Sequence, residues 1–157
     1  MRSEETLLAQ LPTPPRPQGG YVPAVVHQVP GAPGGVVMTA GMTPRVDGTL
    51  QHCGQVGRDL DLATAQAAAS IAVGNALAAA LAVLGPDRRF DRVLRLTVYV
   101  NAEPGFDQHT AVADGASVRL RDLLGEAGDA ARAAVGVNSL PGGACVEVEL
   151  TCAWTIG

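Results

Sequence analysis

The stretch Ala131-Arg132-Ala133-Ala134-Val135-Gly136-Val137-Asn138-Ser139-Leu140-Pro141-Gly142-Gly143-Ala144-Cys145-Val146-Glu147-Val148-Glu149 reads as two strands joined by a Leu-Pro-Gly-Gly turn. Side chains alternate across a strand, so Ala133, Val135 and Val137 share one face and Arg132, Ala134 and Gly136 the other. The arginine emerges among small neighbours that leave room for a ligand. On the return strand Val146, Val148, Leu150, Cys152 and Trp154 form the apolar side, with Glu147, Glu149 and Thr151 opposite. From this alternation a guanidinium and a carboxylate are expected to share one cleft.

Working back towards the N-terminus, the chain from Tyr21 has the grammar of strand, turn and strand, with residues 30–35 as the break before a strand at Val36-Val37-Met38. Asp47-Gly48 marks another turn and residues 50–56 a further short strand. Asp61 is placed to cap a helix from Leu62, in which Val73, Leu77, Leu81 and Leu84 recur at helical spacing until Gly85-Pro86 ends it. The alanines of that helix, with Gly74, suit close packing on a sheet. Leu94, Leu96, Val98 and Val100 alternate with Arg95, Thr97 and Tyr99 as a strand. A second helix over residues 106–125 puts Val112, Ala116, Leu120 and Leu123 on one side, and Gly125 and Gly128 stop it. The order of elements predicts an α+β fold, a mostly antiparallel sheet with two helices packed on one face.

At 157 residues the chain is long enough for one core without disulfide staples. Residues 1–20 read as a Pro-rich extended N-terminal arm and residues 21–157 as the domain. A net charge of −4, with no Lys/Arg run, and five scattered aromatics (Tyr21, Phe90, Tyr99, Phe106, Trp154) argue against a nucleic-acid partner, which needs a basic face or a stacking platform. The N-terminus lacks a basic region followed by a long apolar core, and no later segment reaches membrane-spanning length free of polar residues, so no membrane partner and a cytoplasmic location are expected. The cysteines, Cys53, Cys145 and Cys152, are odd in number and widely spaced; Cys145 and Cys152 differ in strand parity and read as inert thiols on opposite faces. His27, His52 and His109 are scattered without ligand spacing, so no metal site is expected.

The pattern Arg-x-x-Val-Gly-Val-x-x-Leu-Pro-x-x-Ala-x-Val-Glu-Val-Glu, from Arg132 to Glu149, closely resembles the C-terminal signature of the YjgF/RidA family, the reactive intermediate deaminases. Tyr21-Val22-Pro23 and the run from Gly34 to Pro44 resemble the family's early segments. Gly54-Gln55-Val56-Gly57-Arg58-Asp59-Leu60, Val98-Tyr99-Val100-Asn101, Gly105-Phe106 and Gly115-Ala116-Ser117 are similar to a longer-chain branch of it.

The resemblance implies a chorismate-mutase-like sheet and a homotrimer with its sites between subunits. It also implies cofactor-independent hydrolysis of reactive 2-imino or enamino acids, of the 2-aminoacrylate type, to 2-keto acids and ammonia, in housekeeping or as a tailoring step of specialised metabolism. Arg132 then holds the substrate carboxylate in its planar fork. Glu147 positions or activates the attacking water, while Glu149 pairs or stays solvated. Gly41 lines the cleft with its backbone N–H, and Tyr21 closes it from a neighbouring subunit. Imines hydrolyse readily in water, so orientation and proton transfer suffice and neither metal nor organic cofactor is called for. Three positions depart from the pattern: Ala40 stands where many members have serine, Asp114 where the branch shows asparagine, and Asp129 where it often carries histidine. Asp114 would either pair with Arg132 and compete with an anionic substrate or add an acid/base group to the substrate-binding site. The alternative function is a non-catalytic trimer that binds a small carboxylate and regulates a partner, since fold alone does not license chemistry.

Overall fold

The computed structural model describes residues 4–157. Its elements are α1 (Glu4–Leu8), β1 (Ala24–Gln28), β2 (Gly34–Thr39), β3 (Arg45–Val46), β4 (Thr49–Leu50), α2 (Leu62–Ala82), β5 (Arg88–Asn101), α3 (His109–Leu124), β6 (Ala131–Val137) and β7 (Val146–Ile156). Five strands form one sheet in the order β1-β2-β7-β5-β6, antiparallel except for the parallel pair β5 and β6, and β3 and β4 form a separate small hairpin. Helices α2 and α3 lie side by side on one face of the mostly antiparallel sheet, so the fold is α+β.

Local signals account for most boundaries. Asp61 caps α2 by accepting a hydrogen bond from the Thr64 N–H at 2.8 Å, which satisfies one of the amides that a helix start leaves unpaired. By length and a mean hydropathy of 1.5, α2 could cross a membrane, but most of it is buried inside the fold as the core helix. Its alanines let the backbone sit close to the sheet. The tightest helix crossing lies elsewhere, at Gly115, where a Cβ would run into the Gln66 carbonyl oxygen of α2. Gly74 instead faces Pro12 of the N-terminal arm. On β7 the alternation is complete: Val146, Val148, Leu150, Cys152 and Trp154 are all buried beneath the helices.

Several expectations need correction. The two strands of the opening stretch exist, but they are not neighbours, because β5 lies hydrogen-bonded between them. The unit β5–α3–β6 is a parallel crossover, which needs the intervening helix, and the Leu140-Pro141-Gly142-Gly143 turn then carries the chain over the end of β5 to its other side. Buried Asn101, the last residue of β5, secures that passage: its Nδ2 donates to the Ala144 carbonyl at 3.1 Å and its N–H to the Cys145 carbonyl at 2.9 Å. Tyr21 precedes the first strand, which starts at Ala24. The strand expected over 50–56 shrinks to the two residues of β4, since the chain beyond finds only isolated bridges at Cys53 and Val56. The arm is not extended throughout: Glu4–Leu8 is helical and Leu7 is buried in the core. Cys145 lies outside β7, so strand parity does not apply to it; it and Cys152 are both buried, and burial pushes their thiols up to about 11 and about 12.

Candidate functional site

Glu147 stands on the sheet face away from the helices, in register with Tyr99 of β5. Beside it the chain leaving β2 does not break off: Met42 and Val148 exchange backbone hydrogen bonds at 2.7 and 2.9 Å, which lays Gly41 directly against the glutamate. A Cβ on Gly41 would overlap Glu147 Oε1, so only glycine allows this approach. The result is a groove of about 520 Å³ walled by Tyr21, Gly41, Thr43, Arg45, Gly142 and Glu147, with Gln18 and Ala40 at its margin.

Glu147 is half-buried and has no hydrogen-bond or ion-pair partner among the described residues. Burial, and then the charge of Glu149, raise its carboxyl above the usual carboxylate range. Glu149 is otherwise engaged, accepting from the Tyr99 hydroxyl at 3.1 Å. A desolvated carboxyl at the wall of a groove, without a partner among the described residues and holding its proton more tightly than an exposed one, is placed to act as a proton acceptor and donor.

Arg132 lies elsewhere. In register with core-facing Leu96, it projects to the helix side of the sheet. There three α3 residues spaced one turn apart receive it: Nη1 donates to Asp114 Oδ1 at 2.8 Å and to Ser117 Oγ at 2.9 Å, and Nη2 donates to the Thr110 carbonyl at 3.3 Å. A groove of about 650 Å³ runs past it between α3 and the start of β6, lined also by Arg121 and Asp129, whose side chains pair with each other at 2.6 Å.

The structure thus gathers Tyr21, Gly41 and Glu147 into one groove of a single chain and places Arg132 with Asp114 in another, across the sheet. The cleft expected to hold Arg132 and Glu147 together does not form within one chain, because the interposed β5 gives β6 and β7 opposite facing for these two residues. Tyr21 lines the same groove as Glu147 of its own chain. Arg45 and Gln18 also line the Glu147 groove; the local sequence marks only the Asp47-Gly48 turn beside Arg45, and nothing local to Gln18 distinguishes it from its Pro-rich surroundings. Among the described residues no group of three or more His, Cys, Asp or Glu side chains is placed to hold a metal ion.

A family model described as "YjgF/chorismate mutase-like, putative endoribonuclease" matches residues 19–151. The chain is 36% identical over 141 residues to Protein TCP17 of Trypanosoma cruzi, an alignment that covers 89% of this chain and 84% of that protein. Among solved structures it is similar to the protein Atu1372, of unknown function, from Agrobacterium tumefaciens, with 36% identity, a TM-score of 0.79 and coverage of 90% of this chain and 85% of that one. It is also similar to a "putative endoribonuclease" from Shewanella oneidensis, with 28% identity, a TM-score of 0.81 and coverage of 94% and 97%.

Proposed function

The chain belongs to the YjgF/chorismate mutase-like family, and from that premise we propose that it hydrolyses reactive 2-imino acids, and the enamines that tautomerise to them, to 2-keto acids and ammonia without a cofactor. The observation that carries this reading is Glu147, a half-buried carboxyl with raised proton affinity and no side-chain partner among the described residues, held against Gly41 in an open groove. In the proposed reaction water attacks the imine carbon and Glu147 takes a proton from it. Delivery of that proton to nitrogen gives the carbinolamine; Glu147 then takes the hydroxyl proton and passes it to nitrogen, so that the C–N bond breaks, ammonia leaves, and the oxygen becomes the carbonyl of the keto acid. Positioning and one proton relay are the enzyme's whole contribution.

A substrate carboxylate needs a cation, and Arg132 is the family's match for that role. Since Arg132 lies across the sheet from Glu147 of the same chain, the proposed active form is a homotrimer in which Arg132 of a neighbouring copy faces the Glu147 groove. RNA cleavage, the activity in the family description, draws no support from a chain of net charge −4. One observation favours a second reading, a carboxylate binder without turnover: Asp114 already occupies the Arg132 guanidinium.

Ammonia release separates the two. 2-Aminoacrylate or 2-iminopropionate generated in situ should decay faster with the protein than without it, and both Arg132→Ala and Glu147→Gln should return the rate to the spontaneous one. A binder would instead show saturable affinity for keto acids with no acceleration.

A further inference from the structure

We propose that Arg45 is a specificity-determining residue of the Glu147 groove, placed to receive a second acidic group, so that the preferred substrate class is the 2-imino dicarboxylic acids. The proposal rests on the imine-hydrolysis reading for its chemistry, but its binding consequence can be measured without turnover.

Arg45 is held in place from several directions. Its carbonyl accepts a hydrogen bond at 2.9 Å from Nδ2 of Asn75, a residue only 3% exposed, and the same amide holds the Thr43 carbonyl at 3.1 Å. Its Nη1 donates to the Gly48 carbonyl at 2.8 Å, bracing the guanidinium across the Asp47-Gly48 turn. Its Nη2 lies 3.9 Å from where a Cβ on Gly142 would sit, so the fork reaches the turn that forms the far wall of the groove.

What this cation lacks is an anion. Among the described residues no acidic group lies within 4.0 Å of Arg45; other arginines share that lack, but Arg45 is the one that lines the Glu147 groove. Its Nε is sealed from solvent without any acceptor. A partly desolvated guanidinium with unused donors favours an anion that water and backbone have not already supplied, and its planar fork suits a carboxylate. Arg45 shares the groove with Glu147, so the proposed reaction has two cations to serve it: Arg132 of a neighbouring copy for the carboxylate next to the imine, and Arg45 for a distal one. A monocarboxylate would leave Arg45 unanswered.

The test compares binding of 2-oxoglutarate with that of 2-oxobutyrate, by calorimetry on the intact protein, in the natural sequence and in Arg45→Met and Arg45→Lys. The expected result is a preference for the dicarboxylate of at least about ten-fold in the natural protein, in line with a close charge pair. It should fall to near parity in Arg45→Met and to an intermediate ratio in Arg45→Lys, which keeps the charge but not the fork. No preference in the natural protein overturns the inference. A preference that survives Arg45→Met in a variant with a cooperative melt also overturns it, and makes Arg45 a brace for the hairpin only. If the preference follows Arg45 while neither imine is hydrolysed faster than spontaneously, the inference stands and the hydrolysis reading fails.

Discussion

Arg132 and Asp114 form an ion pair with Nη1 and Oδ1 2.8 Å apart, and the two partners differ in exposure: the arginine side chain is 20% accessible, the aspartate 54%. The carboxylate is therefore the removable half. Asp114→Asn should cost less than about 1 kcal/mol of stability, because a pair this open to solvent is well screened. In the proposed trimer it should tighten pyruvate binding a few-fold by releasing the guanidinium. Calorimetry and a thermal melt check both parts. Slower hydrolysis at unchanged binding would make Asp114 an acid/base group, and no change in either would remove it from the site.

Glu147→Gln should stabilise the protein at pH 7. Burial and the Glu149 charge raise the folded-state carboxyl above its ordinary 4.5, so the folded chain holds this proton more tightly than the unfolded chain does. As pH rises from about 4.5 through the folded value, the unfolded chain loses the proton first and the folded state loses stability relative to it. Melting temperatures of the natural and variant proteins should then coincide below pH 4.5 and separate in favour of glutamine above it. A variant that melts lower at pH 7 would contradict the direction of this shift.

Gly41→Ala should damage the site more than the fold. The added methyl overlaps Glu147 Oε1, and a side chain can swing aside where backbone could not. A stability loss of about 1–3 kcal/mol is expected for such an insertion. Imine hydrolysis should fall by about 10²-fold or more, the loss expected on disabling a general acid/base. Full activity in this variant would mean that the Glu147 position against Gly41 is irrelevant to chemistry.

The particle in solution should have three times the 16.0 kDa chain mass. On the sheet face away from the helices Val25, Met38 and Val135 are exposed at 53%, 52% and 40%, an apolar surface of the kind that closed oligomers bury. Light scattering at micromolar concentration decides it, and the mass of a single chain would remove the proposed intersubunit site.

Features written locally were legible before any coordinates. Asp61 caps α2, the apolar stripe Val112, Ala116, Leu120 and Leu123 is the buried side of α3, and β7 alternates as read. The insertion of β5 between β6 and β7 was not, because a Leu-Pro-Gly-Gly turn says that the chain reverses and not which strand it will lie beside. The helix between β5 and β6 is the one signal in the sequence for their parallel pairing, since parallel neighbours need a crossover connection of that kind. Within one chain Tyr21, Gly41 and Glu147 line the same groove, whereas Arg132 does not join them. Arg45 could not be foreseen, since its setting depends on Asn75, thirty residues away, and on the Gly142 turn, further still.

The chain that walls the Glu147 groove at Gln18 and Tyr21 is anchored on the far side of the molecule. Leu7 and Leu11 seat it against the core, and Arg119 of α3 donates to the Gln10 carbonyl at 2.9 Å. Between those anchors and the groove runs a proline-rich span with few internal hydrogen bonds, the kind of segment that opens locally at a fraction of the global unfolding energy. A ligand whose contacts with Tyr21 exist only while the arm is seated would be linked to that seating: it would favour the docked N-terminal segment, and a variant that weakens the seat at Leu7 would lower its apparent affinity in step.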